Sequence, residues 1–202
     1  MKMHTVSLLV LAGLLISLQA ISAPLPPTSQ VTPPAEPKAT SIYDFVAKDI
    51  GGKDVKLEEY RGKVIMIVNV PSGCGCGTGP YYGELQSLYK TYKDRGLVVL
   101  AFPGNLPGEQ QAPDDAKTKK TAEEKYKVTF PLFSTISIYG KDEHPLYKFL
   151  TEKETNPEFA GEITGHFNEF LIDRSGKIAG RFGSKAGPEK VETEAAVEKA
   201  LK

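Results

Sequence analysis

Between positions 64 and 70 the chain reads Val-Ile-Met-Ile-Val-Asn-Val, apolar at every position but Asn69 and largely β-branched. Polar and apolar residues do not alternate, so the run predicts a strand covered on both faces of a parallel or mixed sheet. Pro71 stops the ladder, and Ser72, Gly73, Gly75, Gly77 and Gly79 allow tight or left-handed backbone before Pro80 opens a helical pattern. Tyr82, Leu85, Leu88, Tyr89 and Tyr92 then recur at helical spacing as far as Gly96, a C-cap residue. Residues 97–102 are apolar again and predict a second strand. Two buried strands joined through one helix form a right-handed βαβ unit with parallel strands.

On the N-terminal side, Phe45 and Ala47 alternate with polar neighbours, Gly51-Gly52 follow, and then come Val55 and Leu57, the pattern of a β-hairpin. Beyond the second strand, residues 113–126 predict a helix whose many charges form a solvated face. Residues 130–133 predict a short extended piece and residues 144–152 a short helix. Residues 167–172 and 178–182 predict a second hairpin turning at 173–176, and Pro188 starts a terminal helix. There are no internal repeats. This order predicts an α/β protein, a thioredoxin-like sandwich with a central mixed sheet flanked by helices and an N-terminal β-hairpin.

The chain ahead of residue 41 is different in kind. Lys2 and His4 precede an apolar run over residues 6–21 that ends in Gln19-Ala20-Ile21-Ser22-Ala23, the layout of a secretory signal peptide cleaved after Ser22. The run is shorter than the roughly 20 residues that span a bilayer, so no stable membrane insertion is expected after cleavage. Residues 23–40 are rich in proline and poor in large apolar side chains, and predict an extended linker. Residues 41–202 then form a single domain, expected to be secreted or periplasmic.

Acidic and basic residues balance at 25 each, so no field of one sign points to nucleic acid or an anionic membrane. Two cysteines are too few for a disulfide framework, and no second cluster of zinc-finger spacing exists. Both of them, Cys74 and Cys76, fall in the glycine-rich turn between a strand end and a helix start. Unpaired N–H groups and the positive end of the helix dipole favour a thiolate there, so a reactive thiol is the leading reading.

Asn69-Val70-Pro71-Ser72-Gly73-Cys74-Gly75 resembles the N-V-A-S-x-[Cys or selenocysteine]-G signature of the glutathione peroxidase family. The similarity continues through Leu88-Tyr89-Lys90, residues 96–103, Val128-Thr129-Phe130-Pro131-Leu132-Phe133, residues 144–150 and residues 167–177, in one order from about residue 41 to the C-terminus. The resemblance implies a thioredoxin-like fold and reduction of hydrogen peroxide or organic hydroperoxides through a cysteine sulfenate at Cys74, in the response to oxidative stress. It implies a thiol reductant, a dithiol protein or glutathione, and no cofactor or metal.

The chain departs from that pattern at the positions that support the peroxidatic residue in the family. Leu106 stands where a glutamine follows the F-P-C-N motif, and Gly165 and His166 stand where the W-N-F motif has tryptophan and asparagine; the chain contains no tryptophan. A resolving cysteine used by some members corresponds here to Ala122. His166 is a candidate base or charge partner for the thiol, with a surface or structural histidine as the competing reading. Asn168, two residues on, would share its face in a strand and supply the amide that the motif lacks. Asn105 keeps its family position but equally suits a turn, and Gln110 and Gln111 fit a solvated loop. Cys76 is a candidate resolving thiol, forming a tight and labile Cys-x-Cys disulfide with oxidised Cys74. Competing readings are a thiol-disulfide oxidoreductase that uses the pair without peroxide, a copper-binding protein, and a pseudoenzyme.

Overall fold

The computed structural model describes residues 39–72, 79–104, 106, 114–183 and 188–202, all within the second of two units into which the chain divides, Pro37–Lys202. Its centre is β3, Val64–Pro71, buried at all eight positions. Successive side chains of a strand point to opposite faces, and here the alternation sorts the core. Ile65 and Ile67 join one apolar cluster, and Val64, Met66, Val68 and Val70 join the other. A strand loaded on both faces needs no polar positions, which is why its sequence reads as an unbroken apolar run.

Two strands precede it as a hairpin, β1 (Val46–Lys48) and β2 (Asp54–Lys56), paired antiparallel with Ala47 opposite Val55. After β3 the chain enters α1, Gly79–Tyr92, and passes through a 3-10 turn to Gly96, whose φ of 107° supplies the left-handed C-cap. It returns as β4, Leu97–Gly104, parallel to β3 with Val64 opposite Leu97. The hairpin of β5 (Glu169–Ile172) and β6 (Ile178–Phe182) completes a four-stranded sheet in the order β4-β3-β5-β6, with β5 antiparallel to β3.

Helices cover both faces. Leu146, Tyr147, Phe149 and Leu150 of α3 (Pro145–Thr151) pack with Ile65, Ile67, Phe102 and Phe170. Tyr82, Leu85, Leu88 and Tyr92 of α1 pack on the other side with Val197 of α4 (Pro188–Ala200). The Tyr92 hydroxyl donates to Glu198 at 3.0 Å, tying these two helices together.

Three details refine or correct the sequence reading. The helix expected over residues 113–126 is described from α2, Asp115–Lys120, and continues as a π-helical turn, Thr121–Lys125. Asp114 caps it by accepting from the Lys117 N–H, which sets its start. The extended piece at 130–133 makes only isolated bridges, Leu132 with Ala101 and Phe133 with Asp49. Finally, β5 begins at Glu169 and not at Phe167, because Phe167 has a φ of 61° and turns the chain before the ladder starts.

Candidate functional site

Cys74 and Cys76 lie in residues 73–78, outside the described residues, as do Asn105, Gln110 and Gln111. What is described is the frame on either side. Ser72, buried, follows the carboxyl end of β3, and Gly79 opens α1.

The frame is closed by the segment 165–168, and Asn69 is what holds that segment. Asn69 is fully buried in β3; its Nδ2 donates to the Gly165 carbonyl at 3.0 Å, and its Oδ1 accepts from the Asn168 N–H at 2.8 Å. Its backbone takes part too: the Phe167 N–H donates to the Asn69 carbonyl at 2.6 Å, and the Asn69 N–H to the Asn168 carbonyl at 3.4 Å. Each polar atom of a side chain placed in an apolar strand is thus occupied, the condition for burying an amide without a large penalty.

His166 sits in this corner, half-buried between Gly165 and Phe167. Asn168 does not share a strand face with it, since the left-handed Phe167 intervenes and the ladder has not begun. The Asn168 side chain is engaged inside the corner: Nδ2 donates to the Gly165 carbonyl at 2.8 Å, and Oδ1 accepts from Arg181 Nη2 at 3.0 Å. Phe167 packs under the first turn of α1, stacked on Tyr81 with ring centroids 4.6 Å apart and edge-on to Tyr82 at 6.0 Å. Tyr82 stacks in turn on Tyr126, and burial drives its phenol above the ordinary range. The 165–168 corner is therefore tied both to the start of α1 and to β3.

The remaining supporting positions are accounted for by packing. Gly104 stands where the F-P-C-N motif has cysteine, and a Cβ there would come 2.8 Å from Ile138 Cγ2 and 3.2 Å from the Ile136 carbonyl, so a side chain there would require Ile138 to shift. Leu106 packs against the core cluster on the α3 side, and its carbonyl accepts from the Tyr139 hydroxyl at 3.4 Å. Ala122 is buried within the π-helical turn. Gln86, a polar residue of α1 that its helical pattern did not single out, ties that helix to Thr129 by two bonds of 2.9 and 2.7 Å. Among the described residues, no group of three or more His, Cys, Asp or Glu is arranged to hold a metal. No described helix is long and apolar enough to cross a membrane.

A mixed sheet between two helical layers, with a strand-to-helix junction at its centre, is a thioredoxin-like architecture. The thioredoxin-family thiol:disulfide interchange protein of Chlorobium tepidum superposes with a TM-score of 0.56, over 83% of this chain and all of that one, at 19% identity, which shows the shared fold. The family is narrower. The profile described as Glutathione peroxidase matches residues 42–151. A glutathione peroxidase of Lactococcus lactis subsp. cremoris is 41% identical over 154 residues, covering 76% of this chain and 96% of that protein. The crystal structure of T. cruzi GPX1 superposes with a TM-score of 0.60 at 34% identity, over 80% of this chain and 96% of that one. The chain belongs to the glutathione peroxidase family and is an oxidoreductase that reduces peroxide at the expense of thiols.

Proposed function

We propose that Cys74 is the peroxidatic thiol and that Cys76 resolves it. One observation carries this reading: the sequence between the carboxyl end of β3 and the first turn of α1 contains both thiols of the chain, and Asn69, locked in place, stands five positions before Cys74 in the family's spacing. A Cys74 thiolate attacks the terminal oxygen of the hydroperoxide; the O–O bond breaks, sulfur becomes a sulfenic acid, and water or an alcohol leaves after taking a proton. The Cys76 thiolate then attacks the sulfenic sulfur and expels its hydroxyl, which takes a proton and leaves as water, giving a strained disulfide. A dithiol reductant opens that disulfide by exchange and leaves as its own disulfide. His166, in the corner beside this junction, accepts or supplies the protons of these steps.

We assign the protein to a compartment outside the cytoplasm, on the strength of the charged, apolar and small-residue sequence of positions 2–23. N-terminal sequencing of the mature protein should begin near Ala23; recovery of Met1 from soluble cytoplasm would overturn this.

The test of the chemistry is reduced protein given a small excess of hydrogen peroxide, then thiol-trapped and weighed by mass spectrometry. Wild type should form an internal disulfide. Cys74→Ser should consume no peroxide, and Cys76→Ser should be oxidised once at Cys74 and then accumulate sulfinic acid, since a sulfenate without a partner waits for a second peroxide. Peroxide consumption in Cys74→Ser but not in Cys76→Ser would exchange the roles. Peroxide consumption that persists in the double variant Cys74→Ser/Cys76→Ser would remove the thiols from the reaction, and loss of disulfide exchange without any peroxide-specific oxidation would make the chain a thiol-disulfide oxidoreductase.

A further inference from the structure

Arg181 of β6 is half-buried and makes four hydrogen bonds, all to neutral oxygens. Nη1 donates to the carbonyls of Gly161 at 2.8 Å and Phe159 at 3.3 Å; Nη2 donates to the carbonyl of Glu162 at 2.8 Å and to Asn168 Oδ1 at 3.0 Å. Its guanidinium carbon lies 4.9 Å from the ring centroid of Phe170, the residue opposite it in the β5–β6 register. No carboxylate among the described residues forms an ion pair with it, and burial lowers its pKa, although a guanidinium remains a cation at any ordinary pH. An arginine held this way spends its donors on shape and not on charge neutralisation.

The shape in question is the 165–168 corner. The three carbonyls belong to the loop that leads into the corner, and Asn168 leads out of it, so a single planar fork fixes both limbs. Asn168 transmits the constraint inward through its bond to the Gly165 carbonyl, which Asn69 of β3 also holds. The corner needs such a restraint because Phe167 is a bulky residue at a φ of 61°, a conformation that persists only where the surroundings impose it. Lysine has one ammonium in place of a five-donor fork and cannot reproduce these four directions.

We propose that Arg181 is a positioning residue for the peroxidatic step: through Asn168 it holds His166 and Phe167 against the carboxyl end of β3, the strand that precedes Cys74 in the sequence. The inference rests on the assignment of Cys74 as the attacking thiol. Displacement of a supporting group by about an ångström costs up to 100-fold in rate, so Arg181→Ala should slow single-turnover oxidation of the reduced protein by peroxide at least about tenfold, while re-reduction of the oxidised protein by dithiothreitol keeps the wild-type rate. Arg181→Lys should be as slow as the alanine variant, since charge without the fork does not restore the geometry. Should Arg181→Ala fail to fold, Asn168→Ala removes the same link while leaving Arg181 its three carbonyls, and it should slow the oxidation step alone by at least about threefold. A wild-type oxidation rate in the folded variant, a rate restored by lysine, or oxidation and re-reduction slowed together would each overturn the inference. Peroxide consumption that persists in Cys74→Ser would instead defeat the assignment beneath it.

Discussion

Asn69 is the one polar side chain in a strand otherwise apolar from 64 to 70, and its cost of burial is met only because both ends of its amide find partners. Removing it leaves the Asn168 N–H without its side-chain acceptor inside the fold, whereas the Gly165 carbonyl keeps the Asn168 amide. We expect Asn69→Ala to lower the unfolding free energy by about 2–3 kcal/mol, the cost of an orphaned buried donor plus a small cavity. A urea titration of reduced protein measures it, and a change below about 0.5 kcal/mol, the scale of a surface substitution, would remove Asn69 from the scaffold. At this scale the sequence was legible in part. The break at Asn69 was plain in the apolar pattern; its partners, 96 and 99 positions away, were not, since nothing local encodes them. Asn168 was misread as a strand neighbour of His166 because a positive φ at a phenylalanine has no sequence signal. Arg181, in a solvent-edge pattern of alternating residues, gave no sign of its four acceptors.

Elements with a clear period were legible, and their ends followed capping chemistry. The parallel pair β3 and β4, the C-cap at Gly96 and the hairpin turn over 173–176 all stand where periodicity and glycine place them. The π-helical turn at Thr121–Lys125 was not foreseen, because its wider turn leaves the run of polar residues unchanged. A cap also gives α3 a pH dependence. A helix of seven residues is too short to stand alone, and α3 relies on its buried face and on His144, whose Nδ1 accepts from the Leu146 N–H at 3.2 Å. Only an unprotonated Nδ1 accepts, and burial lowers the His144 pKa below the usual imidazole value. The folded state therefore binds fewer protons than the unfolded one; this contribution is complete above about pH 6.5 and is lost as pH falls through the lowered folded-state pKa. His144→Asn keeps a side-chain acceptor that does not titrate, so its stability should fall less steeply than that of wild type as the pH is lowered from about 6.5. Parallel urea midpoints across that window would show that the cap is not the titrating link.

At the scale of the whole molecule the β5–β6 hairpin is pinned at both ends by an arginine, and the two pins offer a control for each other. Arg174, in the turn, donates to the carbonyls of Gly62 at 3.0 Å, Arg95 at 3.0 Å and Leu201 at 3.4 Å, joining the approach to β3, the turn after α1 and the residues that follow α4. Arg181, at the other end, holds the 165–168 corner at the carboxyl end of β3. Both satisfy only neutral oxygens in these contacts, so their chemistry is alike and their places differ. Arg174 is exposed, and water replaces much of what its loss removes; Arg174→Ala should cost about 1–2 kcal/mol of stability. Because it lies at the far end of the sheet from Ser72 and Gly79, its removal should leave single-turnover peroxide oxidation within about twofold of wild type, as expected for distant, independent sites. The measurement is stopped-flow oxidation well below the melting temperature, with urea unfolding run in parallel. Equal slowing in Arg174→Ala and Arg181→Ala would mean that the rate follows the overall stability of the sheet. A loss of stability in both with a loss of rate in Arg181→Ala alone ties the rate to the corner, a distinction that depends on topology and that neither arginine's sequence context reveals.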